Sequence, residues 1–414
     1  MRFTLVDREI IFAAALIRAV AVSLTGILLG LYLTQVGFAP GIVGTVIAAG
    51  LAGGATAALV ATFYADRLGR RRFLTFVALL SAAGGLAVIP LSNAAVMGAA
   101  AFLGMLNGMG KDRGAFVVVE QAILPSTVTD EERTHTFALY NVMQGVGAGA
   151  GALLASVPGW LTRLGIAGSL DAMRLAMGLY AALMVLSVLL YLGLSAQVEV
   201  KQGVAPAMVS PQSRRTVFRL SALFSVDSLG GGFLTQSLVA LFFAERFGVG
   251  PGEVGALFFG AHIANTLSQF GSSFLGRRIG LINTMVFTHV PSGFLMAGVA
   301  FAPNLPIAVI FFLLRESLVQ MDVPARQSYV MAIVKPEERT FAAGVTGLVR
   351  LGGWALAPGF AGLLMEGPSL GSPLIVGAAL KILYDVLLYR AFAHLKPPEE
   401  QRSPKPTSAR EAKA

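Results

Sequence analysis

The chain has 414 residues, 55% of them hydrophobic and only 13% charged, with a mean hydropathy of +0.73. An ordinary soluble domain carries about 25% charged residues, so this composition argues against a soluble protein and for one embedded in a bilayer. There is no cysteine, which excludes disulfides, thiolate metal sites and cysteine nucleophiles; the net charge of +9 sits largely in short loops and the tail, which fits a lipid surface better than nucleic acid.

A helix needs roughly 20 apolar residues to cross about 30 Å of hydrocarbon. Twelve windows qualify in chain order: 9–34, 41–63, 73–91, 95–124, 135–157, 173–194, 217–244, 252–275, 282–302, 304–333, 340–365 and 373–394. The first lacks a small-residue cleavage pattern and reads as a retained helix, not a signal peptide. Irregular backbone cannot face lipid, so the connections are expected to be short turns at the two surfaces. The loops after spans 2, 4, 6, 8 and 10 hold Arg67, Arg70, Arg71 and Arg72; Arg133; Lys201, Arg214 and Arg215; Arg277 and Arg278; and Lys335 and Arg339. The loops after spans 1, 3 and 9 hold no Lys or Arg, with Arg163, Arg174 and Arg246 the exceptions elsewhere. This asymmetry places both termini in the cytoplasm, and a bacterial cytoplasmic (inner) membrane is the expected location. The longest connection, 195–216, carries Gly203, Pro206 and Pro211 and reads as a linker between six-helix halves at 1–194 and 217–395. The tail at 396–414 is Pro-, Lys- and Glu-rich without periodicity and is expected to be disordered.

The halves repeat. Asp130-Glu131-Glu132-Arg133-Thr134 after span 4 matches Pro336-Glu337-Glu338-Arg339-Thr340 after span 10, 206 residues on. Gly69-Arg70-Arg71 after span 2 matches Gly276-Arg277-Arg278 after span 8, 207 residues on. The stretch Gly37 to Gly44 also resembles Gly248 to Gly255. Transporters built from repeated halves place their substrate near the bilayer midplane between the halves.

The run Ala65-Asp66-Arg67-Leu68-Gly69-Arg70-Arg71-Arg72 resembles the loop motif between helices 2 and 3 of the major facilitator superfamily, although Thr62 stands where the motif has its leading glycine. The resemblance covers about 1–395 and implies an all-α membrane protein of twelve helices in two pseudo-symmetric six-helix bundles. It further implies a monomer that rocks about a central cavity lined by helices 1, 4, 7 and 10. In that family the loop motif holds the outward-facing state, so Asp66 would dock on a neighbouring helix end while Arg67, Arg70 and Arg71, placed by Gly69, reach acidic groups across the bundle. Plain anchoring at the cytoplasmic surface is the competing reading of the same arginines. Glu131, Glu132 and Arg133, with Glu337, Glu338 and Arg339, open helices 5 and 11, where carboxylates suit the helix dipole and can accept cross-bundle arginines.

Charges inside apolar spans are costly, and each normally faces a partner or a watery cavity. Here they gather on spans 1, 4, 7 and 10: Arg18; Lys111, Asp112, Arg113 and Glu120; Asp227; Arg315, Glu316, Asp322 and Arg326; with Arg350 on span 11. Adjacent helical residues point about 100° apart, which makes Arg113 the favoured cavity group of its triplet. Glu120 and Arg326 are quasi-equivalent and opposite in charge, as for a contact between the bundles. Asp322 with Arg326, and Lys381 with Asp385, are spaced to neutralise each other along one helix. Asp227, Glu316 or Asp112 would carry a proton in a dry cavity, or equally form static pairs with Arg18, Arg113 or Arg315. Gly230, Gly231 and Gly232 after Asp227 favour a bend.

No G-x-x-x-x-G-K-[ST] is present, so nucleotide-driven pumping is not expected, nor is an enzyme, a metal site or any organic cofactor. The leading expectation is a secondary transporter exporting a small organic or amphiphilic compound by alternating access, with a proton gradient as energy source. The alternative is a carrier of organic or phosphorylated anions held by Arg18, Arg113, Arg315 and Arg350. A receptor or scaffold that moves nothing is the third reading. Phe233, Phe242, Phe243, Phe258 and Phe259 are candidates for an apolar lining. In each transporting case the partners are a small molecule and the bilayer, not nucleic acid.

Overall fold

The computed structural model describes residues 2–129, 132–199, 210–332, 334 and 338–393. Spans 1 to 3 are the unbroken helices α1 (Arg2–Val36), α2 (Pro40–Leu68) and α3 (Arg70–Ala87). Span 4 is split into α4 (Ala94–Gly104) and α5 (Ala115–Ile123); span 5 is α6 (Arg133–Leu154) followed by the short α7 (Val157–Arg163); span 6 is α8 (Ser169–Leu192). The second half repeats the order: α9 (Pro211–Phe233) and α10 (Gln236–Phe247) for span 7, α11 (Pro251–Ile279), α12 (Leu281–Phe301), α13 (Leu305–Val319) and α14 (Asp322–Ala332) for span 10, α15 (Arg339–Glu366) and α16 (Ser372–Phe392). Helix α9 therefore begins inside the expected 195–216 linker, at Pro211, which Ser210 caps by accepting the Ser213 N–H.

Eight of these paths are long and apolar enough to cross a membrane by length and composition alone. The others fall short for visible reasons. Helix α3 opens with three arginines, α11 carries His262 and Asn265 mid-helix, and spans 4 and 10 are broken. Large apolar side chains such as Phe63, Phe76, Leu103, Phe287, Phe294, Phe301 and Phe360 are exposed, as an outer surface meeting lipid requires.

The break in span 4 corrects the expectation of one helix over 95–124. Met105 has φ 53° and Gly110 φ 71°, both left-handed. The Asn107 side chain accepts from Met109 N (2.8 Å) and donates to Lys111 O (2.8 Å), offering the backbone a turn in place of helical bonds. Ser237 at the matching break in span 7 donates its N–H to Gly108 O (3.1 Å) and its hydroxyl to Gly26 O (2.7 Å), so the second half satisfies carbonyls of the first.

Small residues bring the helices together. A Cβ at Gly147 or Gly151 of α6 would collide with the Leu16 or Val20 carbonyl of α1. Between the bundles, a Cβ at Gly44 of α2 would strike the Pro358 carbonyl of α15, and one at Gly362 would strike that of Pro40. These contacts lie on the face opposite the chain termini. On that face too, Gly41 N–H donates to Glu366 (3.2 Å), Ser156 donates to Gly252 O (3.1 Å) and Arg163 pairs with Glu253. Among the described residues, the hydrogen bonds and ion pairs joining the bundles fall at mid-depth or on this far face, which is the sealed one.

Candidate functional site

A cavity of about 110 Å³ lies between the bundles, large enough for several waters. Broken span 4 supplies Lys111 and Arg113; α9 supplies Asp227; α13 and α14 supply Arg315, Glu316, Asp322 and Arg326; α15 supplies Arg350 and Trp354; α16 supplies Lys381. Six cations thus face three carboxylates, an excess of three positive charges with the histidines neutral.

The carboxylates are all engaged. Buried Asp227 accepts from Lys381 Nζ (2.8 Å) and Arg350 Nη1 (3.0 Å) and lies 3.6 Å from Arg326 Nη1. Asp322 takes Arg326 at i,i+4, as its spacing predicted. Glu316 accepts from Asn265 Nδ2 (2.7 Å) and pairs with its neighbour Arg315. Lys381 does not neutralise Asp385 along its own helix. It turns to Asp227, while Asp385 lies 3.1 Å from His289 Nδ1, so span 12 contributes to the site. The reason is reach: α16 packs on α9 and α12, which present the better-placed partners.

Lys111 and Arg113 make no ion pair among the described residues. Arg113 instead lies over the Trp354 ring, 4.8 Å from its centroid, and Arg350 lies over the same ring at 4.9 Å. Both cations lie against an indole face; Arg350 also donates Nη1 to Asp227 (3.0 Å), whereas the guanidinium edge of Arg113 makes no ion pair among the described residues and can meet a ligand.

Arg18, Asp112 and Glu120 form a separate buried network inside the first half. The Arg18 guanidinium donates to both Glu120 oxygens (2.6 and 2.7 Å) and to Asp112 Oδ2 (3.0 Å) and contacts the Tyr191 hydroxyl. Tyr140 and Tyr191 donate to Glu120 (2.7 and 2.8 Å), and Phe116 lies under the guanidinium. This corrects two expectations. Glu120 and Arg326 do not bridge the bundles, because each is used within its own half, and Arg18 does not line the cavity.

At the loop motif, Asp66 is largely exposed and pairs with Arg70 (2.7 Å), the first residue of α3. Arg70 continues to Ala122 O (3.2 Å), and the backbone N–H groups of Arg70 and Arg71 meet Glu199 (2.6 and 3.3 Å). Gly69 makes the turn at φ 91°, and Arg67 is exposed. Glu132 is exposed at the start of α6, whereas buried Glu338 accepts from Ser210 N (2.7 Å) at the start of α9. Glu131 and Glu337 lie outside the described residues, as do the side chains of Arg133 and Arg339.

Of the candidate phenylalanines, Phe258 lines the cavity, while Phe242 and Phe243 pack with Phe312 and Phe247 in a buried aromatic cluster. Sequence reasoning missed Trp354 and the tyrosines around Glu120, and gave Lys381 no place in the site. Trp354, one of two tryptophans in the chain and four residues after Arg350, was the readable signal.

The fold and its charged midplane cavity define a membrane transporter. The family model of the Major Facilitator Superfamily matches residues 11–314 and 220–414, and the chain belongs to that superfamily. It is 25% identical over 416 residues to a Saccharomyces cerevisiae protein described as uncharacterized membrane protein YJR124C, covering 92% of this chain and 93% of that one. Among solved structures, the nucleoside transporter NupG aligns with TM-score 0.72 at 14% identity over 95% of this chain and 99% of its own. The human organic anion transporter MFSD10 aligns with TM-score 0.59 at 16% identity, over 93% and 99%. A bacterial homologue of the human lysosomal transporter Spinster, in an inward-facing unoccupied conformation, gives 0.66 at 16%, over 94% and 96%. At these identities the likeness is one of fold.

Proposed function

We propose that this chain carries a small organic anion across the membrane by alternating access. The observation that carries this reading is the excess of three cations in the cavity, with Lys111 and Arg113 outside any ion pair among the described residues. An uncompensated cation near the midplane is expensive, and an anionic ligand relieves that cost. Arg113 and Arg350, fixed on Trp354, are the anion-binding pair; Lys111 adds a third charge.

Export of a neutral or cationic compound through a titrating Asp227 has weaker support, because three cations already surround that carboxylate. If transport is proton-coupled, Glu316, which faces the cavity beside Asn265, is the carboxylate we assign to it. The loop charges favour termini in the cytoplasm, so the sealed far face would be the outer one.

Calorimetric titration of the purified protein with benzenesulfonate and with benzylammonium tests the reading, since the two differ chiefly in charge. The sulfonate is expected to bind and the ammonium not. Arg113→Gln or Arg350→Gln should weaken the sulfonate roughly ten-fold or more, the worth of one charge-assisted bond, and Lys at either position should restore part of it. Preferential binding of the ammonium would overturn the proposal.

A further inference from the structure

Beside the charged cavity lies a second pocket of about 60 Å³, lined mainly by the first half and closed by Leu351 and Trp354 of α15. Met109, Lys111, Arg113 and Trp354 line both, so the two spaces share one wall. Their chemistry differs. The second pocket has Leu51, Val22, Phe116 and Met184 on its sides, and the one acidic side chain on it, Asp112, is already bonded to Arg18. Its floor on α2 is Gly54, where an added Cβ would meet nothing within 4 Å, in contrast to Gly50 and Gly53, whose positions are filled by backbone of span 4. The space at Gly54 is therefore real room and not a helix contact.

From this arrangement we infer that the ligand is an amphiphilic anion. Its charged head binds at Arg113, Lys111 and Arg350, and a short apolar arm passes Trp354 into the pocket over Gly54. The inference rests on the anion reading above and adds the arm to it. A ligand that spans the shared wall also touches both bundles at once, since Trp354, Leu351 and Arg350 belong to α15 and the rest of the arm pocket comes from the first half. Binding would thereby couple the halves that must move against each other.

The two tryptophans make the test direct. Trp160→Phe removes the exposed one on α7 and leaves Trp354 as the sole reporter at the shared wall. Fluorescence titrations of this protein with methane-, butane- and hexanesulfonate read affinity against arm length with the head constant. Affinity is expected to rise by up to about four-fold for each added methylene until the pocket fills. Gly54→Leu, which places its side chain in the pocket, should flatten that rise. Equal affinities across the series would overturn the arm while leaving the anion reading intact. An unchanged rise in Gly54→Leu would also overturn it, locating the chain-length effect elsewhere. If no sulfonate, sulfate or phosphate perturbs Trp354, both readings fall together.

Discussion

Arg18→Met is expected to destabilise the protein by about 3–5 kcal/mol, enough to remove most folded material after extraction in detergent. Arg18 is fully buried, and its guanidinium balances Glu120 and Asp112 while closing a network with Tyr140 and Tyr191. Removing it leaves two carboxylates facing each other in an apolar bundle with no cation between them. The cost comes from those orphaned charges and not from an intrinsic strength of the pair. Adding Asp112→Asn and Glu120→Gln to Arg18→Met should therefore recover much of the loss, because amides can keep bonds to the tyrosines without a net charge. Thermal unfolding of the purified variants reads both outcomes. A single variant as stable as the parent, or a triple variant no better than the single, would contradict this account of the network.

Gly44→Leu is expected to abolish transport while leaving each bundle folded. The described state seals the far face by pressing Gly44 on the Pro358 carbonyl and Gly362 on that of Pro40, and a leucine has no place there. The energy of overpacking, roughly 1–3 kcal/mol, falls only on the sealed state, so the population shifts to the state open at the far face. The chain contains no cysteine, which allows spin labels at Arg163→Cys and Glu253→Cys to report the gap across that face. That exposed pair contributes little to stability, so its replacement leaves the seal to the helices. The label separation should widen in Gly44→Leu. An unchanged separation would mean that the α2–α15 contact does not govern closure.

Much of the fold was readable in the sequence. Helices fall in all twelve expected windows, and eight of them meet the length and composition that crossing a bilayer imposes. A bend was read at Gly230, Gly231 and Gly232, but the breaks in spans 4 and 10 were not, although the residues that make the first are in plain view. Asn107, Gly108 and Gly110 stand directly before Lys111, Asp112 and Arg113, and Asn107 competes with the helix for its backbone bonds. The charges of the site were legible for the same reason as the spans: ionised groups stand out against apolar neighbours. Their partners were not. Lys381 and Asp385 share a helix face, yet each bonds to a different helix, since pairing follows the distances set by α9, α12 and α16 packing. The same holds for Arg18, whose partner Glu120 is 102 residues away. Local spacing gives candidate pairs, and only tertiary packing selects among them. Trp354 shows a further limit: its place four residues after Arg350 is readable, but that a second arginine, Arg113 from span 4, lies on the same ring is not.

The central claim is that the cationic cavity moves anions across a bilayer. Its most direct measurement is exchange in proteoliposomes loaded with radiolabelled benzenesulfonate, with unlabelled anions, cations or neutral solutes added outside. The account predicts that external organic anions drive release of the label, that matched cations and neutral solutes do not, and that Arg113→Gln eliminates the exchange without unfolding the protein. Release driven equally by cations or neutral compounds, or exchange that survives the loss of Arg113, would contradict it.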